Sequence, residues 1–133
     1  MVDDEIDLVR STVEMLRKEF DPTPVIGISD PREALALLDK ERPAVLITDI
    51  RMPHINGLEL IIYAQKKWSS IPIIAITAFP SAEVTAHSRF SGFAYLQKPV
   101  AFKTLSEVIA NLSEVPMAAF RGAVATTTLA DVV

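Results

Sequence analysis

The sequence predicts a doubly wound α/β domain with a five-stranded parallel sheet. Short continuous apolar runs, typical of strands buried on both faces, alternate with roughly 10- to 15-residue segments of helical periodicity. Such an alternation forms βαβ units, whose right-handed crossovers place helices on both faces of the sheet. With 133 residues, the chain has enough length for one core of this kind and too little for two.

The first half of the chain contains two predicted helices and two predicted strands. Apolar residues at helical spacing predict a helix over residues 6–20. The apolar run at residues 25–28 predicts a buried strand. Asp30 and Pro31 then supply an N-cap and a first-turn proline for a second helix. The next buried strand is predicted at residues 44–48.

The second half repeats the pattern. Helical periodicity resumes over residues 58–68, and residues 71–76 form the strongest apolar run in the sequence. A polar, weakly amphipathic helix is predicted at residues 81–90, followed by a strand at 93–96. Residues 102–112 have apolar side chains on one helical face and predict the last helix.

The first strand of the sheet is predicted to be truncated. Only Met1 and Val2 precede Asp3, yet in the strand order 2-1-3-4-5 this strand lies in the middle of the sheet. A missing central strand leaves backbone groups of both neighbours unpaired, so we expect low stability. Either the start is truncated or misassigned, or a strand from residues 123–131 occupies the central position, within one chain or exchanged between two.

Composition and charge restrict the class of protein. Residues 1–114 are predicted to form the domain, and residues 115–133 a C-terminal tail or linker that begins where Pro116 breaks the last helix. There is no apolar run of about 20 residues to cross a membrane, no signal-peptide pattern and no cysteine, which together predict a cytoplasmic protein. A net charge of −4 without a basic stripe argues against direct nucleic-acid binding.

Residues suited to phosphoryl chemistry follow three of the predicted strands and the short first one. Asp3 and Asp4, Asp49, Thr77 and Lys98 should converge, because the carboxyl ends of parallel strands share one edge of a sheet. Mg²⁺ prefers oxygen ligands, and Asp4 and Asp49 are the candidates for direct ligation. Asp49 could then attack phosphorus, with the Thr77 hydroxyl and the Lys98 ammonium on the phosphoryl oxygens.

Four motifs in this order resemble the receiver domains of two-component response regulators, the CheY-like proteins. They are V-D-D-E at residues 2–5, T-D-I-R-M-P-x-x-x-G at 48–57, I-T-A at 76–78 and K-P at 98–99, and the resemblance covers about residues 2–113. It implies a phosphoacceptor domain that is not an enzyme with a substrate of its own.

The resemblance also implies a role for each matching residue. Asp49 is similar to the phosphoacceptor, and Asp4 together with the backbone carbonyl of Arg51 to the Mg²⁺ ligands. Asp3 is similar to the acid that reaches the metal through water. Thr77 and Lys98 match the hydroxyl and the lysine that contact the phosphoryl group in this family, and the hydroxyl also acts as a switch. Tyr95 matches the aromatic switch residue, whose side chain turns inward when the hydroxyl is drawn to the phosphoryl group. The peptide bond before Pro99 is often cis in this family.

The implied partners are a sensor histidine kinase or a phosphotransfer protein as donor, docking near the first helix, and a downstream protein or a second receiver as target. The face that changes on phosphorylation is built from the segments at 81–90, 93–96 and 102–112. Two other classes stay open. One is a pseudo-receiver that binds partners without phosphorylation, and the other is a Mg²⁺-dependent phosphohydrolase, which lacks a second acid because Arg51 stands two residues after Asp49.

Each motif residue also has an ordinary structural interpretation. Asp3 and Asp4 can serve as an N-cap of the first helix, and Thr77 can satisfy a nearby backbone group. Tyr95 is of a type more often found in the core, and a single lysine such as Lys98 is usually solvated. The order of all these residues at strand ends favours the functional interpretation.

Overall fold

The computed structural model describes residues 1–78, 86 and 93–112. Helices and strands alternate along this part of the chain, as predicted. The helices are α1 (Ile6–Glu19), α2 (Pro31–Lys40), α3 (Gly57–Lys67) and α4 (Phe102–Leu112), and the strands are β1 (Leu46–Asp49), β2 (Ile73–Thr77) and β3 (Ala94–Gln97). The predicted helix at residues 81–90 lies outside the described residues except for residue 86, and so does the predicted tail.

The three strands form a parallel sheet in the order β1-β2-β3. Asp49 is aligned with Ile76, and Thr77 with Gln97, so the strands end at nearly the same level. Lys98 directly follows the last paired residue of β3. The register therefore brings the residues predicted to carry chemistry to one edge of the sheet.

The central position beside β1 is occupied by the first residues of the chain. Val2 forms parallel bridges with both Ile28 and Thr48. Its N–H donates to Ile47 O at 2.7 Å, and its carbonyl accepts from Asp49 N–H at 2.8 Å. The spatial order is thus residues 25–28, the Met1 segment, β1, β2 and β3, which is the predicted doubly wound order with a shortened first strand.

The segment at residues 25–28, predicted as a buried strand, lies at the predicted position in the sheet and pairs through a bridge. Ile28 N–H donates to Met1 O at 2.8 Å, and its carbonyl accepts from Asp3 N–H at 3.1 Å, but this segment forms bridges and not a ladder. The physical reason is the length of its neighbour, because a strand can extend only as far as the chain with which it pairs. The proposed strand at residues 123–131 lies outside the described residues.

Two apolar layers cover the two faces of the sheet. Leu46, Ile73 and Ala75 pack with α2 and α3 on one side. Ile47, Ile74 and Ile76 pack with α1 and α4 on the other. Neighbouring residues of a strand point to opposite faces, so continuous apolar runs were needed to build both layers. No helix in the described part of the chain has the length and apolar character needed to span a membrane.

Side-chain caps begin two of the helices. Asp30 accepts the Arg32 N–H at 3.0 Å at the start of α2, with Pro31 in the first turn as predicted. Asn56 accepts the Leu58 N–H at 2.9 Å at the start of α3. The N-cap residue of α1 is Glu5, so neither Asp3 nor Asp4 occupies that position.

Candidate functional site

Asp49 is the last residue of β1 and lies almost fully buried. With Asp3, Asp4 and Lys98 it forms a charged cluster at the carboxyl edge of the sheet, which we call the acidic pocket. Its Oδ1 accepts the Ile50 N–H at 2.8 Å, which leaves Oδ2 directed toward Lys98, with Nζ 3.3 Å away. The chain then turns into α3, where the Gly57 N–H donates to Ile50 O at 2.7 Å. A Cβ on Gly57 would lie 2.0 Å from the Asp49 carbonyl oxygen, so this close approach requires glycine.

The acid pair contributes one buried and one exposed carboxylate. Asp3 is completely buried, and its Oδ1 accepts the Glu5 N–H at 2.9 Å. Its Oδ2 lies 2.8 Å from Lys98 Nζ and has no other partner among the described residues. Asp4 is exposed. Asp3, Asp4 and Asp49 each offer an oxygen within 4.8 Å of the other two, a donor set that fits a hard cation such as Mg²⁺.

Lys98 supplies the cation of the pocket. Its ammonium is 2.8 Å from Asp3, 3.2 Å from Glu5 and 3.3 Å from Asp49. The bond between Lys98 and Pro99 is cis, in agreement with the expectation drawn from the motif. Three carboxylates therefore share one ammonium group.

The electrostatics of the pocket follow from this crowding. Burial, and after it the negative charge of Asp3, raise the pKa of Asp49 to about 6, although Lys98 and the Ile50 N–H act to lower it. Burial alone would lower the pKa of Lys98, but its contacts with Asp3, Asp49 and Glu5 outweigh burial and raise it. The pocket therefore has an excess of negative charge that a divalent cation would offset.

The structure also locates the remaining predicted site residues. Thr77 is buried at the end of β2, and its carbonyl accepts the Lys98 N–H at 2.7 Å. Tyr95 is half-buried on β3, paired with Ala75, and packs against the core layer on the α2 and α3 side. Arg51 is exposed in the loop after β1. Thr77 hydrogen-bonds to the backbone of Lys98, and Arg51 lies two residues after Asp49. Tyr95 lies three residues before Lys98 on β3.

Sequence analysis missed one residue of this cluster. Glu5 belongs to the V-D-D-E motif, yet no role was predicted for it. Its Oε1 contacts the Lys98 ammonium at 3.2 Å across 93 positions of sequence. The acid directly after the Asp3 and Asp4 pair was the available signal.

A parallel α/β sheet with an acidic pocket and a lysine at its carboxyl edge defines the class of CheY-like domains. The chain matches the family model of the response regulator receiver domain over residues 1–110 and belongs to that family. Receiver domains are the signalling phosphoacceptors of two-component systems and bind Mg²⁺ at an acidic pocket.

Solved structures and other proteins show the same similarity. A CheY-like receiver domain protein from Methanospirillum hungatei has a TM-score of 0.76 and 31% identity, over 83% of this chain and 87% of that one. The 14.6 kDa protein in the sodA1 3′ region of Leptolyngbya boryana is 37% identical over 75% of this chain and 77% of its own length. The response regulator PilR of Pseudomonas aeruginosa is 33% identical over 83% of this chain. The chain spans 24% of the length of PilR and 45% of a Shewanella oneidensis response regulatory protein, which is 34% identical over 82% of this chain.

The raised pKa of Asp49 predicts that Asp49→Asn stabilises the Mg²⁺-free protein. An acid whose pKa is higher in the folded state binds its proton more tightly there. The ionised Asp49 carboxylate therefore destabilises the fold fully above about pH 6, and this destabilisation is lost as pH falls toward the pKa of the unfolded chain. We expect Asn to raise the free energy of unfolding by about 1–2 kcal/mol at pH 7, a value discounted for solvent screening.

Urea denaturation of both chains at several pH values measures this difference, with Asp7→Asn, an exposed acid in the first turn of α1, as the control. The advantage of Asp49→Asn should disappear between about pH 6 and pH 4. An advantage that is the same at pH 4 and pH 7 would contradict the assigned electrostatics.

Proposed function

We propose that this chain accepts a phosphoryl group on Asp49 from a sensor histidine kinase or a phosphotransfer protein. The observation that carries the proposal is the position of the nearly buried Asp49 carboxylate, which lies close to Asp3 and 3.3 Å from the Lys98 ammonium. Membership of the receiver family supports it.

The residues of the acid pair divide the proposed Mg²⁺ ligation between them. Asp4 and Asp49 would bind the metal directly together with the backbone carbonyl of Arg51, and Asp3 would bind it through water. Asp3 is completely buried and its Oδ1 is held by the Glu5 N–H, whereas Asp4 is open to solvent, which favours this division. When bound, Mg²⁺ offsets negative charge on the acids and on the transferred group.

The proposed chemistry is an in-line displacement at phosphorus. A carboxylate oxygen of Asp49 forms the new P–O bond, and the bond between phosphorus and the donor atom breaks with its electron pair leaving on the donor. The Lys98 ammonium and the Thr77 hydroxyl bind the phosphoryl oxygens. Since only the ionised carboxylate attacks, a pKa of about 6 leaves Asp49 competent at neutral pH.

The proposed output is a shift between two conformations of the edge formed by β2, β3 and α4. Thr77 is drawn toward the phosphoryl group, and Tyr95 turns inward behind it. This changes the surface of β3 and α4, and that surface binds a downstream protein or a second receiver. The predicted helix at residues 81–90, expected to belong to the same face, lies outside the described residues except for residue 86. Residues 115–133 are proposed to form a tail or linker outside this domain.

The donor is proposed to dock beside α1. A cavity of about 490 Å³ lies between α1 and the start of α4, bordered by Lys98 and Pro99. Apolar side chains, among them Leu8, Met15 and Phe102, form much of its wall. Such an apolar surface next to Lys98 suits a helical segment of a donor protein.

We also propose that this chain acts in the cytoplasm, where receiver domains typically act.

A pseudo-receiver is the second candidate function. That class would keep the fold and bind partners without accepting a phosphoryl group. A phosphohydrolase is disfavoured, since the exposed Arg51 stands where a second acid would be needed.

Beryllofluoride with Mg²⁺ tests the site without a donor protein, because it mimics a phosphoryl group on a carboxylate. We expect a protein-bound ¹⁹F signal and shifted amide resonances at Thr77 and Tyr95, both absent from Asp49→Asn. The Trp68 indole, which donates to Leu38 O at the far end of α3, serves as an internal reference and should not move. A folded native chain without the bound signal would favour the pseudo-receiver.

A further inference from the structure

Glu5 has a contact that neither the acid pair nor the proposed phosphoryl transfer explains. Its side chain is 63% exposed at the mouth of the pocket, and its Oε1 is 3.2 Å from Lys98 Nζ. Its backbone N–H also holds Asp3 Oδ1 at 2.9 Å. Glu5 therefore connects the entrance of the pocket to two residues within it.

The three partners of Lys98 differ in what a divalent cation would do to them. Asp3 and Asp49 belong to the set of acids that can hold a metal, and Glu5 does not. A cation on those acids repels the ammonium and takes over its role of neutralising them. The cation would then compete with Lys98 for Asp3 and Asp49, but not for Glu5.

We propose that Glu5 is a positioning residue that retains the Lys98 ammonium at the mouth of the pocket when Mg²⁺ binds and neutralises Asp3 and Asp49. A lysine side chain has a flexible four-carbon stem, and without a partner it would disperse into solvent. Held by Glu5, the ammonium stays beside Asp49, where a phosphoryl group needs it. This inference rests on the proposed function.

The expected signature is coupling between Glu5 and Lys98 in the affinity for Mg²⁺. In the metal-free state Lys98 has two other acids, so loss of Glu5 matters little there. In the metal-bound state Glu5 is the remaining partner, and Glu5→Gln should weaken Mg²⁺ binding roughly two- to fivefold, as befits an exposed ion pair. A direct effect of the Glu5 charge on the metal would not depend on Lys98.

A double-mutant cycle measured by titration calorimetry with Mg²⁺ alone separates these effects. The chains are the native protein, Glu5→Gln, Lys98→Met and the double variant, with Asp7→Asn as the control for loss of an exposed acid in α1. We expect Glu5→Gln to weaken Mg²⁺ binding when Lys98 is present and by less than about 1.5-fold when it is Met. Equal effects in both backgrounds, or no effect in either, would overturn the proposal.

Two additions keep the test decisive. If Lys98→Met does not fold, Glu5→Asp replaces it, because Asp retains the charge but is one methylene shorter; native Mg²⁺ affinity in Glu5→Asp would overturn the proposal, and a loss similar to that of Glu5→Gln supports it. The mass of the native chain after exposure to acetyl phosphate is measured in parallel. A native chain without a phosphoryl adduct would contradict the proposed function, while the Mg²⁺ cycle would still decide the role of Glu5.

Discussion

Gly57→Ala is expected to lower the free energy of unfolding by more than about 3 kcal/mol, which is a large effect for one methyl group. The added Cβ would lie 2.0 Å from the Asp49 carbonyl oxygen and 2.7 Å from the Ile50 Cα. Both are backbone atoms of the segment that presents the candidate phosphoacceptor, so no side chain can move aside. The end of β1 and the start of α3 would have to separate.

Urea denaturation of Gly57→Ala beside Glu59→Ala measures this loss. Glu59 is exposed in the first turn of the same helix, and alanine there should change the stability by less than about 1 kcal/mol. We also expect Gly57→Ala to reduce phosphorylation of Asp49, because the carboxylate moves with its backbone. Near-native stability of Gly57→Ala would show that the approach of α3 to β1 is looser than described.

Lys98→Met is expected to have the second large effect. Its removal leaves Asp3 Oδ2 fully buried without the ion-pair partner now at 2.8 Å, and Asp49 loses a partner at 3.3 Å. Breaking a buried ion pair on one side costs several kcal/mol, and we expect about 2–4 kcal/mol here because Lys98 is partly exposed. The rate of phosphorylation should fall at least about 100-fold, as for loss of a cation from a transferred group.

A second substitution separates stability from chemistry in this variant. Asp3→Asn in the Lys98→Met background removes the buried charge, so part of the lost free energy of unfolding should return. The rate of phosphorylation should not return, because the ammonium is still missing. Recovery of the rate with Asp3→Asn would contradict the role proposed for Lys98.

Most of the fold was predictable because buried parallel strands need apolar side chains toward both faces. Strand Ile73–Thr77 is buried throughout and overlaps the strongest apolar run, predicted at residues 71–76. Its start differs from the prediction by two residues, since Pro72 has no N–H for the ladder, although its carbonyl accepts from Leu46 at 3.0 Å. The segment at residues 25–28 kept its place in the sheet but not its ladder, because its partner is short. Apolar composition predicts burial better than pairing.

The site was predictable as a set of residue types at strand ends, and less so in its contacts. Strand order alone brings Asp3, Asp49 and Lys98 to one edge, which the described contacts confirm. The division of the acid pair into a buried Asp3 and an exposed Asp4 depends on how the short strand faces its neighbours. Glu5 escaped prediction because its place directly after the acid pair does not by itself indicate that its side chain reaches Lys98.

Acceptance of a phosphoryl group on Asp49 is tested most directly by the intact mass of the chain after incubation with Mg²⁺ and acetyl phosphate. We predict a single phosphoryl adduct that requires Mg²⁺ and is absent from Asp49→Asn. A chain that circular dichroism shows to be folded, yet that gains no adduct with Mg²⁺ present, would contradict the proposed function. An adduct on Asp49→Asn would equally contradict the assignment of Asp49.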